Sequence, residues 1–262
     1  MKRSINLNHD WEFNVFGVNN FRRPGPYQNL YDFIRANHAQ IRGDIVEAGV
    51  FRGNNLLALG LLLKELGSDK TVYGFDTFSG FPDVYGENDR LEMFDQLHEN
   101  GVVTEEHYEQ VRKNFEIKGL LGSHNLDASL ISTNGDFSST DVDVLRHKIE
   151  LLGLDNIRLI EGTFADTMAP DQKPSEVFCC SIDCDLYESY LTTLSFVWPR
   201  LVAGGMVRLD EYFSLKFPGA RLACDEFFVG KNVHLEKTFN EYDFGFERWH
   251  AIKPVDSDTA EL

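Results

Sequence analysis

Acidic residues end two separate apolar stretches in the second half of the chain. Asp183 and Asp185 follow one stretch, and Asp210 and Glu211 follow the other. Carboxylates brought together resist ionisation, whereas a hard divalent cation removes that penalty and takes oxygen ligands. The pattern therefore predicts a Mg²⁺ or other divalent-cation site formed by Asp183, Asp210 and Glu211. Asp185 is interpreted as a cap for the helix predicted from Tyr187.

A glycine turn preceded by an acid lies in the first quarter of the chain. Glu47, Gly49 and Gly53 stand in the spacing E-x-G-x-x-x-G between an apolar strand and an apolar helix. Gly49 permits a tight turn, and Gly53 lets a ligand approach the backbone and the helix N-terminus. The dinucleotide pattern G-x-G-x-x-G has a glycine where Glu47 stands, and a carboxylate there repels a pyrophosphate. The turn therefore favours S-adenosylmethionine, which carries sulfonium and ammonium groups, over NAD.

Two further strand ends carry candidate cofactor residues. Asp76 closes the second predicted strand and can accept both hydroxyls of a ribose, with capping of the next loop as the alternative. Gly162, Thr163 and Phe164 follow the third strand, where small residues and an aromatic ring suit a slot for adenine. Thr163 is equally well interpreted as the N-cap of a short helix.

Strands and helices alternate from residue 44 to residue 229, and this alternation determines where the candidate site residues lie. The alternation predicts an α/β, Rossmann-like fold with a mostly parallel, seven-stranded sheet and helices on both faces. Ligands of such sheets bind beyond the carboxyl ends of the strands. The candidate residues all lie at those ends.

Residues 77–139 interrupt the alternation and are too long for a simple crossover, so they are interpreted as a lid or substrate-capping insertion. One helix is predicted in it, from Glu105 to Ile117. His124 is the first candidate for a catalytic general base, with His98 and His107 behind it.

Charge and cysteine content restrict the classes of binding partner and the compartment that the sequence predicts. The formal net charge is −17, and the sequence has no Lys/Arg cluster that would form a basic patch. This argues against nucleic acid and anionic membranes as partners. The sequence contains neither a secretory signal pattern nor an apolar stretch of about 18 residues. The four cysteines form no C-x-x-C pair, which is typical of reduced thiols in a cytoplasmic protein.

The motifs together resemble the macrocin O-methyltransferase family of metal-dependent sugar O-methyltransferases. The resemblance spans about residues 43 to 230 and is carried by the segments Gly43-Asp-Ile-Val-Glu-Ala-Gly-Val-Phe-Arg-Gly53, Val72-Tyr-Gly-Phe-Asp-Thr-Phe-Ser-Gly80, Asn156-Ile-Arg-Leu-Ile-Glu-Gly-Thr-Phe-Ala-Asp-Thr167, Ser181-Ile-Asp-Cys-Asp-Leu-Tyr-Glu-Ser189, Pro199 to Gly205, and Asp210-Glu-Tyr212. The string D-x-D-L-Y-E-S is the most specific of them.

The resemblance implies a class I methyltransferase fold with magnesium ligands at Asp183, Asp210 and Glu211, where the family usually has two aspartates in place of Asp210-Glu211. It also implies that Glu47, Gly49 and Asp76 line the cofactor site, that Ser139 contacts the cofactor, and that the protein forms homo-oligomers. The organisation of the sequence predicts three parts, which are an extension with a leading helix (1–42), a methyltransferase domain (43–253) and a tail (254–262).

We therefore expect an S-adenosylmethionine-dependent, metal-assisted O-methyltransferase that acts on a hydroxyl of a sugar or another small natural product, with Asp183 and His124 as catalytic residues. Two alternatives remain at this stage. One is a nicotinamide-dependent oxidoreductase or epimerase on a related fold, which Glu47 disfavours. The other is a non-catalytic protein that keeps the cofactor pocket, which the intact set of acidic residues disfavours.

Overall fold

Seven strands form one sheet in a computed structural model that describes residues 4–82, 85–122, 126–238 and 246–255. Their order across the sheet is β3-β2-β1-β4-β5-β7-β6. The strands are β1 (Asp44–Ala48), β2 (Val72–Asp76), β3 (Ile157–Glu161), β4 (Val177–Ile182), β5 (Leu201–Leu209), β6 (Leu235–Thr238) and β7 (Arg248–Ile252).

The sheet is parallel in its first five strands and antiparallel at one edge. Strands β1 to β5 pair in parallel, as the strand–helix alternation predicts. Strand β7 pairs antiparallel with both β5 and β6, so the expectation of a mostly parallel sheet is only partly right. A parallel pair needs a crossover of a dozen or more residues, and β6 and β7 follow one another too closely for that.

Ten α-helices lie in the described ranges, and one 3₁₀ turn (Glu87–Asp89) lies among them. They are α1 (Asp10–Phe16), α2 (Gln28–Asn37), α3 (Asn54–Glu65), α4 (Met93–Glu99), α5 (Glu105–Leu120), α6 (Ala128–Ile131), α7 (Val142–Leu152), α8 (Phe164–Thr167), α9 (Tyr187–Arg200) and α10 (Pro218–Phe228). None of these helices is both long and apolar enough to cross a membrane.

Alternating strand residues divide the apolar core between the two faces of the sheet. Ile45 packs in one buried cluster with residues of α2, α3 and α7, whereas Val46 packs in another with residues of α9 and α10. Adjacent side chains of a strand point to opposite faces, so a strand buried on both sides is apolar throughout. The four cysteines are free and buried. Helices cover both faces, as the sequence predicts.

The insertion is richer in structure than the sequence suggests. Besides α5, which extends the predicted helix by one turn, it contains the 3₁₀ turn, α4 and α6. Its apolar residues Phe94, Leu97 and Val111 form a small core with Leu215 and Leu222 of the β5–α10 region. The insertion therefore packs against the chain segment that follows β5. Its role as a lid, and the division of the chain into domains, remain predictions.

One buried carboxylate joins the insertion to the start of α9. Asp89 is 5% exposed, and its Oδ1 accepts a hydrogen bond of 2.8 Å from the backbone N–H of Tyr187, the first residue of that helix. This N–H has no partner within its own helix, so the insertion supplies the cap. Burial raises the pKa of Asp89 from 3.8 to about 6, although the Tyr187 N–H opposes the shift.

We expect this shift to make Asp89 a source of pH-dependent stability. Because its pKa is higher in the folded chain, the folded state binds a proton more tightly than the unfolded state does. The free energy by which protonation of Asp89 stabilises the folded state is therefore greatest below about pH 4, and it is lost as the pH rises through about 6. Asp89→Asn keeps an acceptor for the Tyr187 N–H but does not titrate, so wild type should lose stability relative to this variant over that range, as measured by urea unfolding.

Glu87→Gln is the matched control, because Glu87 lies on the same turn and its side chain is 87% exposed. Its stability relative to wild type should show no comparable trend with pH. A difference between wild type and Asp89→Asn that stays constant from pH 4 to pH 7 would contradict the assignment.

Candidate active site

The predicted acidic residues do converge at neighbouring strand ends. Asp183 follows β4, and Asp210 and Glu211 follow β5; these strands are adjacent, with Ile182 opposite Leu209. One carboxylate oxygen from each of the three residues lies within 4.8 Å of the others. Three oxygens at this spacing can share one hard divalent cation. We call this set of residues the acidic triad.

A donor holds one oxygen of each carboxylate in the acidic triad. The Tyr27 hydroxyl donates to Asp183 Oδ2 at 2.7 Å, and the Tyr190 hydroxyl donates to Glu211 Oε2 at 2.6 Å. Arg208 and Arg248 both contact Asp210 Oδ1, at 2.5 and 3.2 Å. No other described tyrosine, arginine or backbone N–H group donates to these three carboxylates, and Glu211 can hydrogen-bond its two acidic neighbours only when it is protonated. Outer partners that hold one side of each ligand are typical of metal sites, so the triad fits a cation.

Charge repulsion within the acidic triad is only partly compensated. Burial and the neighbouring Asp210 raise the pKa of Asp183 above its ordinary value. Burial and the other two carboxylates raise the pKa of Glu211 well above its ordinary value. Burial would raise the pKa of Asp210 as well, but the guanidinium groups of Arg208 and Arg248 outweigh it and hold that pKa low. The site therefore favours additional positive charge.

Asp185 does not cap helix α9, contrary to the interpretation from sequence. It is buried and has a φ of 64°, a left-handed conformation that is rare for a residue with a side chain. The N-cap of α9 is Leu186, and the first helical N–H is bound by Asp89 instead. Burial and the nearby Asp183 raise the pKa of Asp185 well above its usual range.

Glu47 lies one strand away, at the end of a buried chain of hydrogen bonds that begins at Tyr31. It is 2% exposed, and its Oε1 accepts a hydrogen bond of 3.1 Å from Asn55, whose Oδ1 accepts one from the Tyr31 hydroxyl. Its Oε2 is buried and has no hydrogen-bond partner among the residues that the structure describes. Burial raises the pKa of Glu47 well above its ordinary value, and the charges of Asp183 and Asp76 add to the shift. This unpaired oxygen fits a cationic group of a ligand.

The structure shows why both predicted turn positions need glycine: a Cβ atom at either one would clash with a neighbouring segment. Gly49 has a φ of 87°, and a Cβ there would lie 1.7 Å from the backbone oxygen of Asp183. Gly53 has a φ of 81°, and its Cβ would lie 2.3 Å from the Leu145 side chain of α7. Gly49 therefore permits contact with the loop after β4, and Gly53 permits the close packing of α7.

Asp76 organises the loops around it. Its Oδ2 accepts hydrogen bonds from the backbone N–H groups of Val50 and Phe51 at 2.7 and 2.8 Å, and its Oδ1 accepts one from Phe78 at 2.6 Å. The residue therefore holds the glycine turn in place, which combines the predicted loop-capping role with a position at the predicted ribose site. Contact with a ribose remains a prediction.

The other predicted cofactor residues lie on loops at the same end of the sheet. Ser139 contacts the glycine turn, because Arg52 donates to both its backbone oxygen and its hydroxyl. The N–H of Gly162 donates to the backbone oxygen of Asp76. Thr163 is the N-cap of α8, which confirms the alternative interpretation of this residue, and Phe164 is half-buried at the start of that helix. Their contacts with a cofactor remain predictions.

The two described candidate general bases, His98 and His107, are bound to partners outside the acidic triad. His124 lies outside the described residues, so its role stays a prediction. Nε2 of His98 lies 2.7 Å from a carboxylate oxygen of the exposed Glu105. His107 is buried, with its Nε2 2.7 Å from the backbone oxygen of Ser214, and burial lowers its pKa. His98 and His107 thus stabilise the insertion.

Unusual backbone conformations concentrate on the same loops. The described non-glycine residues with positive φ are Phe51, Phe78, Phe137 and Asp185. Phe51, Phe78 and Asp185 follow β1, β2 and β4, and the ring of Phe137 contacts that of Phe51 at 5.3 Å. Such conformations persist where the surroundings enforce them, often at functional sites. Their clustering supports this end of the sheet as the active site.

Sequence reasoning missed four residues that contact the acidic triad, namely Tyr27, Tyr190, Arg208 and Arg248. No role was predicted for Tyr27, and Tyr190 was expected only as part of the helix predicted from Tyr187. Arg208 is fully buried in β5, and a charge inside an otherwise apolar strand is a signal that could have been followed to Asp210. No comparable signal marks Tyr27, because its partner Asp183 is 156 residues away.

The sequence pattern of the family described as macrocin-O-methyltransferase (TylF) matches residues 26–155 and 136–244, which together are most of the chain. The chain belongs to this family. The resemblance seen in the sequence motifs is thereby confirmed.

Two curated relatives of this macrocin O-methyltransferase family protein are O-methyltransferases. It is 28% identical over 207 residues (79% of this chain, 66% of the relative) to 8-demethyl-8-(2,3-dimethoxy-alpha-L-rhamnosyl)-tetracenomycin-C 4'-O-methyltransferase of Streptomyces olivaceus. It is 27% identical over 223 residues (85% and 71%) to demethyldecarbamoylnovobiocin O-methyltransferase of Streptomyces niveus. The chain thus spans about two thirds of the length of these relatives.

A solved structure confirms the fold class. The structure of the O-methyltransferase NovP superimposes with a TM-score of 0.59 at 21% identity, covering 93% of this chain and 80% of that chain. The α/β architecture predicted from the alternation of strands and helices is therefore correct.

Gly49 provides a test of the contact between the glycine turn and the loop after β4. Gly49→Ala places a methyl group where the Asp183 backbone oxygen lies, so one of the two loops must move. Gly67→Ala is the matched control, since Gly67 also has a positive φ, of 62°, but has open space around its Cβ position. We expect Gly67→Ala to cost roughly 1–2 kcal/mol of unfolding free energy for the left-handed conformation alone, and Gly49→Ala to cost clearly more. Equal losses in urea unfolding would show that the contact is not tight.

Proposed function

We propose that this chain is an S-adenosylmethionine-dependent, divalent-metal-assisted O-methyltransferase that acts on a hydroxyl of a sugar or another small natural product. The observation that carries the proposal is the acidic triad, whose three carboxylates are each held on one oxygen by a tyrosine hydroxyl or a guanidinium and lie close enough together to share a cation. Both curated relatives are named as O-methyltransferases, which supports the same reaction here.

The chain's own residues support a cationic methyl donor. Glu47 offers a buried, unpaired carboxylate oxygen next to the glycine turn, and Asp76 holds that turn through two backbone N–H groups. S-adenosylmethionine would supply the methyl group when bound. Glu47 would bind the positive charge at its amino-acid end, and Ser139, Gly162, Thr163 and Phe164 would line the remainder of its site.

The acidic triad would hold the metal. A divalent cation in such a site polarises a substrate oxygen and lowers the pKa of a bound hydroxyl. The contribution of the chain is to fix Asp183, Asp210 and Glu211 in a convergent arrangement before the ligand arrives, which reduces the reorganisation that catalysis requires. Asp185 is the remaining carboxylate at the end of β4, with no hydrogen bond to a described residue, and we propose it as an acceptor for the hydroxyl proton beside the earlier candidate His124.

The acceptor is proposed as a small hydroxylated molecule. The net charge of −17 supports a neutral or cationic molecule rather than nucleic acid or an anionic membrane. Homo-oligomer formation and a cytoplasmic location are retained as predictions of the sequence.

Cofactor binding can be tested without knowledge of the acceptor. We expect the purified protein to bind S-adenosylhomocysteine and S-adenosylmethionine in calorimetry and not to bind NAD. Glu47→Gln should weaken the binding of S-adenosylmethionine roughly tenfold, because a neutral amide contributes less to a cationic partner than a carboxylate does. Glu176→Gln is the control: it removes the same charge just before β4, at the opposite end of the sheet. Binding of NAD alone would overturn the proposed function.

Metal binding is tested by removing the central carboxylate of the triad. Mg²⁺ should raise the melting temperature of wild type, and EDTA should reverse the rise. Asp183→Asn should abolish this response while keeping the metal-free protein at least as stable as wild type, because one source of repulsion is gone. Methyl transfer from labelled S-adenosylmethionine to a panel of glycosides should also be lost. Full activity of Asp183→Asn, or of EDTA-treated wild type, would contradict the role of the metal.

A further inference from the structure

The turn that precedes α2 is bound to the strand that carries Asp210. The Pro26 backbone oxygen accepts a hydrogen bond of 3.4 Å from Arg208, and the guanidinium carbon of Arg208 lies 4.2 Å from the centre of the Tyr27 ring. Arg208 is fully buried, and the same Nη2 atom contacts Asp210. One buried guanidinium therefore joins the N-terminal part of the chain to a member of the acidic triad.

Tyr27 reaches a second member of the triad from the same position. Its hydroxyl donates to Asp183 Oδ2 at 2.7 Å, across 156 residues of sequence. The ring is held on one side by Arg208, and it lies 6.2 Å from the ring of Tyr31 one helical turn further on. A hydroxyl carried by a rigid two-torsion side chain and fixed on its ring faces can define the direction of the carboxylate that it binds.

Asp183 has few other constraints on its orientation among the described residues. The Tyr27 hydroxyl is the fixed donor to its carboxylate, because the neighbouring Asp210 repels it and Glu211 can hydrogen-bond it only as a protonated carboxylic acid. Without the Tyr27 hydroxyl, the carboxylate would be free to turn away from the other two. The free oxygens of the triad would then no longer converge.

We propose that Tyr27 is a positioning residue of the metal site: by binding Asp183 Oδ2 it directs the other oxygen of Asp183 toward a divalent cation, and the segment before the sheet thereby completes the site. This inference rests on the metal part of the proposed function. It makes no demand on the identity of the acceptor or on the mode of cofactor binding.

The test compares Tyr27→Phe with Tyr31→Phe in the full chain without cofactor or acceptor. Both variants remove one hydroxyl from a tyrosine of the same segment, but the hydroxyl of Tyr31 donates to Asn55 and not to the triad. Tyr27→Phe keeps the ring on Arg208, so its fold should be retained, as checked by circular dichroism and thermal unfolding. Mn²⁺ is the probe, with free ion measured by electron paramagnetic resonance, and Mg²⁺ binding is followed by calorimetry.

We expect Tyr27→Phe to bind Mn²⁺ about tenfold more weakly than wild type, in line with the loss of an outer hydrogen bond to a metal ligand. Tyr31→Phe should bind Mn²⁺ as wild type does, although its melting temperature should change by about as much as that of Tyr27→Phe. A merely structural role of Tyr27 would lower the melting temperature without this separation in metal affinity.

Two results would overturn the inference, and they differ in what else they affect. If wild type binds Mn²⁺, Asp183→Asn does not, and Tyr27→Phe matches Tyr31→Phe, then the positioning role is wrong while the proposed metal site stands. If wild type shows no saturable Mn²⁺ binding, or if Asp183→Asn binds equally well, then the metal part of the proposed function fails and the role of Tyr27 fails with it.

Discussion

Repulsion among three carboxylates at two neighbouring strand ends is the constraint on which the rest of the site depends. Parallel strands bring their carboxyl ends to one edge, so Asp183, Asp210 and Glu211 cannot separate without breaking the register of β4 and β5. Low polarity around buried charges makes such repulsion costly. The chain answers with fixed donors on the outer oxygens, among them the guanidinium of Arg208. The compensation is incomplete, because the pKa values of Asp183 and Glu211 remain raised.

Two segments outside the regular alternation of strands and helices close around this edge. The leading segment reaches Asp183 through Tyr27, and the insertion caps α9 through Asp89, within a few residues of the same carboxylate. Each contact uses one polar group placed by a longer packed element. The position of the acidic triad is therefore set by the sheet, while the orientation of its side chains depends on residues far away in sequence.

This division explains how much could be predicted from the sequence. The strand ends were predictable, because an apolar stretch followed by acids or glycine indicates the carboxyl end of a strand, where ligands of parallel sheets bind. Asp183, Asp210 and Glu47 were identified in that way. Tyr27 and Asp89 could not be, since each acts through a single long-range hydrogen bond that leaves no periodic pattern. Asp185 shows the opposite error. The local rule for helix capping predicted that it caps α9, but Asp89 of the insertion binds the first N–H of that helix instead.

The glycine turn and the acidic triad form one structural unit. The Asp183 N–H donates to the Ala48 backbone oxygen at 2.9 Å, and Gly49 approaches the Asp183 backbone so closely that no side chain fits there. Backbone contacts of this kind transmit displacement directly, because neither partner can rotate away as a side chain could. A ligand bound by the turn after β1 and a cation bound after β4 would therefore rest on a shared rigid support. In-line transfer between two bound reactants requires such a support, since its rate depends on holding them at a fixed separation.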